Sequence, residues 1–218
     1  MTQNLLIPKA QAQMHNLLAA GDYAIDATAG NGHDTLFLAK CIHPGGRLWA
    51  IDIQAVAIEA TRARLAEAGL LEGLTLLRAN HAELLNLIPD AYHGKIKVIV
   101  FNLGYLPGGN KACVTLPHST LSGLSASLHL LAPGGLLSLM VYPGHKGGAS
   151  EAQVILDWLT TLDAPYSYTI HPSKPLPEKV EGSKPVHKNP FLISERPYLH
   201  LSTKPFWISL YKDSALSS

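Results

Sequence analysis

Asp26-Ala27-Thr28-Ala29-Gly30-Asn31-Gly32-His33-Asp34-Thr35 decides how this chain is read, together with Ile51-Asp52-Ile53-Gln54 about twenty residues further on. A short apolar run, Tyr23-Ala24-Ile25, leads into an acid, then a Gly-x-Gly turn, then a segment of helical character. A second apolar run, Leu48 to Ile51, ends in another acid. That is the layout of a nucleotide-cofactor site on an α/β sheet. The glycines let the backbone turn tightly and approach a ligand, and the second acid hydrogen-bonds ribose hydroxyls. Gly30-x-Gly32 alone would be only a strand-to-helix turn; the flanking acids and the spacing to Asp52 favour a cofactor.

A dinucleotide site continues as G-x-G-x-x-G, leaving room for a pyrophosphate. Here Thr35 stands at the third position with Asp34 before it. A carboxylate at a helix N-terminus competes with phosphate for the same N–H groups and positive dipole. Asp26, four residues before Gly30, is placed to meet a cation. S-adenosylmethionine carries an adenosine, an ammonium and a sulfonium but no phosphate, so it suits this charge pattern better than NAD does.

The 218 residues, 47% of them hydrophobic, suffice for one sizeable core, so a single domain over 1–218 is expected. No apolar run reaches membrane-spanning length, and the first residues lack a charged-then-apolar signal pattern, so no membrane partner is expected. Cys41 and Cys113 stand alone, which points to a reducing, cytoplasmic setting. The 11 histidines show no ligand spacing, and no metal is expected. A formal net charge of +1 argues against coating nucleic acid by overall charge.

Apolar runs and periodic segments alternate along the chain. An amphipathic segment at about 10–20 reads as an N-terminal helix stopped by Gly21. Strands are expected at Tyr23–Ala27, Arg47–Asp52, Leu74–Arg78, Ile96–Phe101, Leu136–Tyr142, Tyr166–His171 and Phe206–Tyr211. Helices are expected at His33–Cys41, Ala55–Ala68, His118–Leu131 and Ser150–Leu162. The fold class is therefore α/β: one doubly wound, mostly parallel, seven-stranded Rossmann-like sheet with helices on both faces.

Ligands on such sheets bind beyond the carboxyl ends of the strands, and this ranks the loops. After the first strand come Gly30, Asn31 and Gly32, and after the second Asp52 and Gln54. After the third come Asn80 and His81, which either meet an adenine edge or serve as a helix cap and a loop histidine. After the fourth comes Asn102-Leu103-Gly104-Tyr105, which resembles the Asn-Pro-Pro-Tyr loop of amino-group methyltransferases, with Leu103-Gly104 in place of Pro-Pro. The Asn carbonyl of such a loop accepts from a target amine, and the aromatic stacks on an extruded base. A glycine-rich turn with a core tyrosine is the plainer alternative. After the fifth strand, His145 and Lys146 lie among glycines; His145 either takes a proton or holds a phosphate, or belongs to a plain loop.

The stretch 173–204 is rich in proline and lysine and too long for an ordinary connection. Lys184, Lys188 and Arg196 within it would grip RNA phosphates, with Lys146 beside the active edge. Packing on a second subunit through Phe191, Ile193 and Tyr198, or a solvated insertion, are the alternatives.

Asp26–Thr35, Ile51–Gln54, Asn102–Gly109, Tyr142–Gly148 and Lys188-Asn189-Pro190-Phe191 together resemble one bacterial family of class I methyltransferases. Its members have long carried the label rRNA methylase and are associated with methylating the 5-aminomethyl group of 2-thiouridine at the tRNA wobble position. The resemblance implies S-adenosylmethionine as donor, S-adenosylhomocysteine as product, a tRNA anticodon stem-loop as substrate and a homodimer. Cofactor contacts carry over to Asn31, Asp34, Asp52 and Gln54, then to His81 and Asn102. From loop position, the catalytic candidates are Asn102 with the Gly104 region to orient the amine, Tyr105 to stack on the uridine, and His145 or bulk water to take the proton. An rRNA methyltransferase and a small-molecule amine N-methyltransferase are the alternatives. A partner subunit that binds the cofactor without turnover is disfavoured by the Asn102-x-x-Tyr105 loop.

Overall fold

A computed structural model describes residues 5–104, 106, 108, 115–173 and 204–214. The elements follow in order: α1 (Leu6–Leu17), β1 (Tyr23–Asp26), α2 (His33–Ile42), β2 (Arg47–Asp52), α3 (Ala55–Glu67), β3 (Leu74–Arg78), α4 (Leu84–Leu87), β4 (Ile96–Asn102), α5 (Pro117–Leu130), β5 (Leu131–Val141), α6 (Gly148–Leu159), β6 (Tyr166–Pro172) and β7 (Phe206–Lys212). Short 3-10 turns at His81–Glu83 and Asp90–Tyr92 flank α4.

The strands join one sheet in the order β3-β2-β1-β4-β5-β7-β6. Neighbours from β3 through β5 pair in parallel, and β7 runs against both β5 and β6. Side chains alternate across a strand, and the sequence uses that period to feed two cores. Ala24, Leu48, Val98, Val100 and Leu136 pack with α1, α2 and α3 on one face. Ile25, Trp49, Ile99, Phe101 and Leu137 pack with α4, α5 and α6 on the other. Helices thus cover both faces, as the apolar runs of the central strands require. Buried Ser138 interrupts the apolar run of β5, and its Oγ accepts from Trp207 Nε1 at 2.9 Å.

Every strand and helix expected from the sequence is present, α4 and the two 3-10 turns are additional, and several boundaries move. Helix α1 runs from Leu6 to Leu17 rather than over 10–20. Its buried stripe is Leu6, Ala10 and Met14, spaced by four, and Pro8 sits in the first turn, where its missing N–H breaks no bond. Strand β5 begins at Leu131, five residues early, because Leu131 already pairs with Ile96. A register shift then absorbs Pro133 and the two glycines before Leu136 resumes the ladder opposite Val98. Helix α6 starts at Gly148, after left-handed Gly147.

The chain winds outward from β1 to β3, returns to β4 beside β1, and then proceeds the other way. The carboxyl ends of β1 and β4 therefore diverge at a topological switch point, where open α/β sheets bind ligands.

Replacing Ile99 by alanine removes a fully buried side chain from the sheet centre. Urea unfolding is expected to show about 2–5 kcal/mol of lost stability with an unchanged m-value.

Candidate functional site

A cavity of about 1040 Å³ opens beyond the carboxyl ends of the parallel strands. Its wall is drawn from the ends of β1 to β5 and the segments after them, from α1, which contributes Ile7 and Gln11, and from Ser119 of α5 and Pro205 before β7.

The turn after β1 is shaped by backbone bonds. Gly30 and Gly32 have φ of 53° and 77°, a region that glycine enters without strain. Gly32 also has no room for a side chain, since a Cβ there would lie 2.8 Å from Thr61 Cα in α3. From α3, Thr61 Oγ1 donates to the Gly30 carbonyl at 3.2 Å and Arg64 Nε to the Asn31 carbonyl at 2.7 Å. From the β2 end, Asp52 accepts the Gly30 N–H at 2.9 Å on one oxygen and the Gln54 N–H at 2.9 Å on the other. A carboxylate has about four lone-pair sites, so Asp52 is fixed in place with acceptor capacity left over.

Asp34 lies in the first turn of α2, where the helix dipole favours a negative charge. Asn102 Nδ2, from the end of β4, donates to its Oδ2. Gln11 Nε2 of α1 reaches the other oxygen at 3.4 Å. The Asn102 N–H donates to Thr28 Oγ1 at 2.7 Å, so both the backbone and the side chain of Asn102 are held by the loop after β1 and the helix that follows it.

Asp26 sits behind this wall, 1% exposed. Thr35 Oγ1 donates to it at 2.6 Å and the Thr28 N–H at 3.2 Å. Burial first, then the charge of Asp34, push its carboxyl up to about 7. Among the described residues lining the cavity are Asp34 and Asp52 and neither a lysine nor an arginine, so its fixed charge is negative.

Asn80 Oδ1 accepts the Ala82 N–H at 2.9 Å, capping the turn that carries His81. His81 packs edge-on against Phe101, its buried Nε2 has no hydrogen-bond partner among the described residues, and burial lowers its imidazole to about 4. Gly123 of α5 makes room for it, since a Cβ there would lie 2.9 Å from the His81 carbonyl oxygen. On the far side, His145 Nδ1 lies 3.1 Å from the Lys146 carbonyl, and Tyr142 lines the wall with its phenol pushed up by burial and by Asp34.

The structure thus brings Gly30, Asn31, Asp34, Asp52, Gln54, Asn80, His81, Asn102 and His145 to one cavity. Asp26, Gly32 and Thr35 do not reach its wall: their side chains or Cα positions are spent on internal packing and on the Asp26–Thr35 bond. Lys146 is exposed outside the wall. Tyr105, Lys184, Lys188 and Arg196 lie outside the described residues, as do Phe191, Ile193 and Tyr198. Sequence reasoning passed over Thr28, Thr61, Arg64, Thr115 and Glu151, which hold the site loops from behind. Only Thr28 had a local signal, lying inside the motif around Gly30.

Residues 48–179 match a protein-family model described as "Putative rRNA methylase". The chain belongs to this family. Over 154 residues, 67% of the chain, it is 42% identical to the chloroplastic tRNA (mnm(5)s(2)U34)-methyltransferase of Arabidopsis thaliana, of whose length it spans 56%. Among solved structures, a protein of the family's description from Clostridium thermocellum superposes with a TM-score of 0.76 at 26% identity, covering 94% of this chain and 96% of that one. A "putative methyltransferase" from Streptococcus mutans in complex with SAH gives 0.72 at 26% identity, covering 94% and 97%. This chain therefore shares its α/β fold with both of these proteins. No helix among the described residues is long and apolar enough to cross a membrane.

Asp26 yields a pH signature. Its folded pKa of about 7 exceeds the unfolded value near 3.9, so folding favours the protonated form. The stability this group contributes is complete below about pH 4 and is lost as pH rises through about 7. Asp26→Asn is expected to match the wild type near pH 4 and to exceed it at pH 8 by roughly 2–4 kcal/mol. Denaturant unfolding across that range checks it.

Proposed function

We propose that this protein is an S-adenosylmethionine-dependent methyltransferase that methylates the 5-aminomethyl group of 2-thiouridine at the tRNA wobble position. The observation that carries the reading is Asn102, an amide at the end of β4 whose orientation Asp34 fixes, beside a cavity with negative fixed charge.

The described residues fit the donor. Asp52 keeps acceptor capacity for ribose hydroxyls, the unpartnered Nε2 of His81 with Asn80 suits an adenine edge, and Asn31, Gln54 and Asp34 complete the wall. When bound, S-adenosylmethionine supplies a methyl group activated by a sulfonium. Two carboxylates on the wall and Asp26 behind it favour a cation there and disfavour a pyrophosphate.

The other requirements fall on the chain. An aliphatic amine is mostly protonated near neutrality and nucleophilic only when neutral. Asp34 accepts only, so the Asn102 NH2 must face it and Oδ1 becomes the end that accepts from the amine and aims its lone pair. His145, on the wall beside Gly104, or bulk water takes the amine's proton. Tyr105 is assigned to stacking on the uridine, and Lys146, Lys184, Lys188 and Arg196 to phosphate contacts along the anticodon stem-loop. A homodimer in the cytoplasm, needing no metal, completes the proposal. The 42% identity to a tRNA (mnm(5)s(2)U34)-methyltransferase supports this substrate, while the family description makes rRNA the second reading.

The deciding experiment supplies isotope-labelled S-adenosylmethionine and RNA from cells lacking the protein, followed by nucleoside mass spectrometry. Label is expected in 5-methylaminomethyl-2-thiouridine; label confined to rRNA overturns the substrate, and label only on a free small amine overturns the RNA class. Transfer to tRNA should weaken steeply with added salt. Asn102→Ala is expected to lower kcat by roughly 10²-fold. Full turnover in that variant removes Asn102 from the mechanism.

A further inference from the structure

Helix α6 carries Glu151 in its first turn, 1% exposed. An acid buried this deeply requires partners, and each oxygen has one. Thr115 Oγ1 donates to Oε2 at 2.8 Å and Thr120 Oγ1 to Oε1 at 2.6 Å. Thr115 carries the connection onward. Its hydroxyl oxygen accepts the Gly104 N–H at 3.0 Å, and its own N–H donates to the Gly104 carbonyl at 2.9 Å. A chain of donors therefore runs from the Gly104 amide through the Thr115 hydroxyl to the Glu151 carboxylate.

The direction of that chain follows from the acid. A carboxylate only accepts, so Thr115 must spend its proton on Glu151 and turn a lone pair towards Gly104. A glutamine of the same size would replace one acceptor with a donor and lose that compulsion. Gly104 follows Asn102 by two residues and has φ of 141°, a value that glycine tolerates best. It also faces His145, since a Cβ on Gly104 would lie 3.5 Å from His145 Nε2. The same turn of α6 holds His145 directly: the Gly148 N–H donates to its carbonyl at 3.0 Å, and a Cβ on Gly148 would lie 2.9 Å from its Nε2. One helical turn thus sets Gly104, just after β4, against His145, just after β5.

We propose that Glu151 is a positioning residue for the methyl-accepting amine, acting through Thr115 to fix the Gly104 segment beside Asn102 and His145. The proposal rests on the amine-methylation reading above. Glu151 is not among the residues lining the cavity; it acts on Gly104 through Thr115.

The test compares Glu151→Gln, Thr115→Val and Thr115→Ser with Ile155→Val, which loosens α6 packing but touches no bond in the chain. Thr115→Val and Glu151→Gln are expected to lower kcat about tenfold or more, with cofactor affinity within about twofold by calorimetry. Thr115→Ser restores the rate, and Ile155→Val keeps it. Amide hydrogen exchange on the full chain gives a readout apart from turnover: the Gly104 N–H should exchange faster in Thr115→Val and Glu151→Gln only. If Ile155→Val lowers kcat as much as Thr115→Val, or if Gly104 protection is unchanged in Thr115→Val, the proposal fails. A wild type silent on RNA amines overturns the substrate reading and this proposal with it. An active wild type with full kcat in Thr115→Val overturns this proposal alone.

Discussion

The Asp34 carboxylate takes the Asn102 amide, and through that bond the start of α2 and the end of β4 share one geometry. The two residues are far apart in sequence and meet because β1 and β4 are parallel neighbours, with Asp26 opposite Val100. The Ala27 N–H continues the ladder to the Val100 carbonyl, and the Asn102 N–H then turns to Thr28. The segment from Thr28 to Asp34 therefore holds Asn102 at two points. A shift of the glycine turn would be transmitted to the acceptor end of the amide, so the two halves of the cavity cannot drift independently.

Charge is the second constraint. Three carboxylates, Asp26, Asp34 and Asp52, converge at one end of the sheet, and Asp26 offsets the cost of its burial by holding its proton to about pH 7. A fold selected for stability alone would place an apolar residue there, because a buried acid without a cation opposes folding above its pKa. Asp34 and Asp52 are held in different ways. Asp34 sits at a helix N-terminus beside the Asn102 amide, and Asp52 takes two backbone N–H groups. The result is a negative pocket that exists before any ligand enters, and a cation is the ligand class it stabilises most.

Much of this was legible in the sequence, and the rest was not for identifiable reasons. Apolar runs ending in Asp26, Asp52 and Asn102 marked the strand ends because a parallel sheet buries both faces of its central strands. Gly30 and Gly32 marked the turn because few other residues take those backbone angles. The start of α1 was obscured by Pro8, which ends helices more often than it opens them away from the first turn. Helix α4 and the turn at His81 are too short for periodicity to register; Leu84 and Ile88 secure them by tertiary packing. Thr61, Arg64, Thr115 and Glu151 left no local trace, because each reads as an ordinary helix or loop residue until its distant partner is known. The inward position of Asp26 was equally hidden, since sequence spacing places it beside the glycines but does not say which way its carboxylate turns.

The contacts that left no local trace divide the cavity into two kinds of construction. On the cofactor side the glycine turn is held largely through backbone groups: the Gly30 N–H, the Gly30 and Asn31 carbonyls and the Gln54 N–H all bond to side chains reaching in from Asp52, Thr61 and Arg64. Several bonds share the load, so losing one leaves the turn constrained by the others. At the opposite wall, among the described residues, Gly104 is bonded at both its N–H and its carbonyl by Thr115, whose hydroxyl donates to Glu151. Bonds in series fail together, whereas bonds in parallel do not. Losing Thr115 should therefore loosen the Gly104 end of the cavity more than losing any one of the bonds around Gly30 loosens the glycine turn.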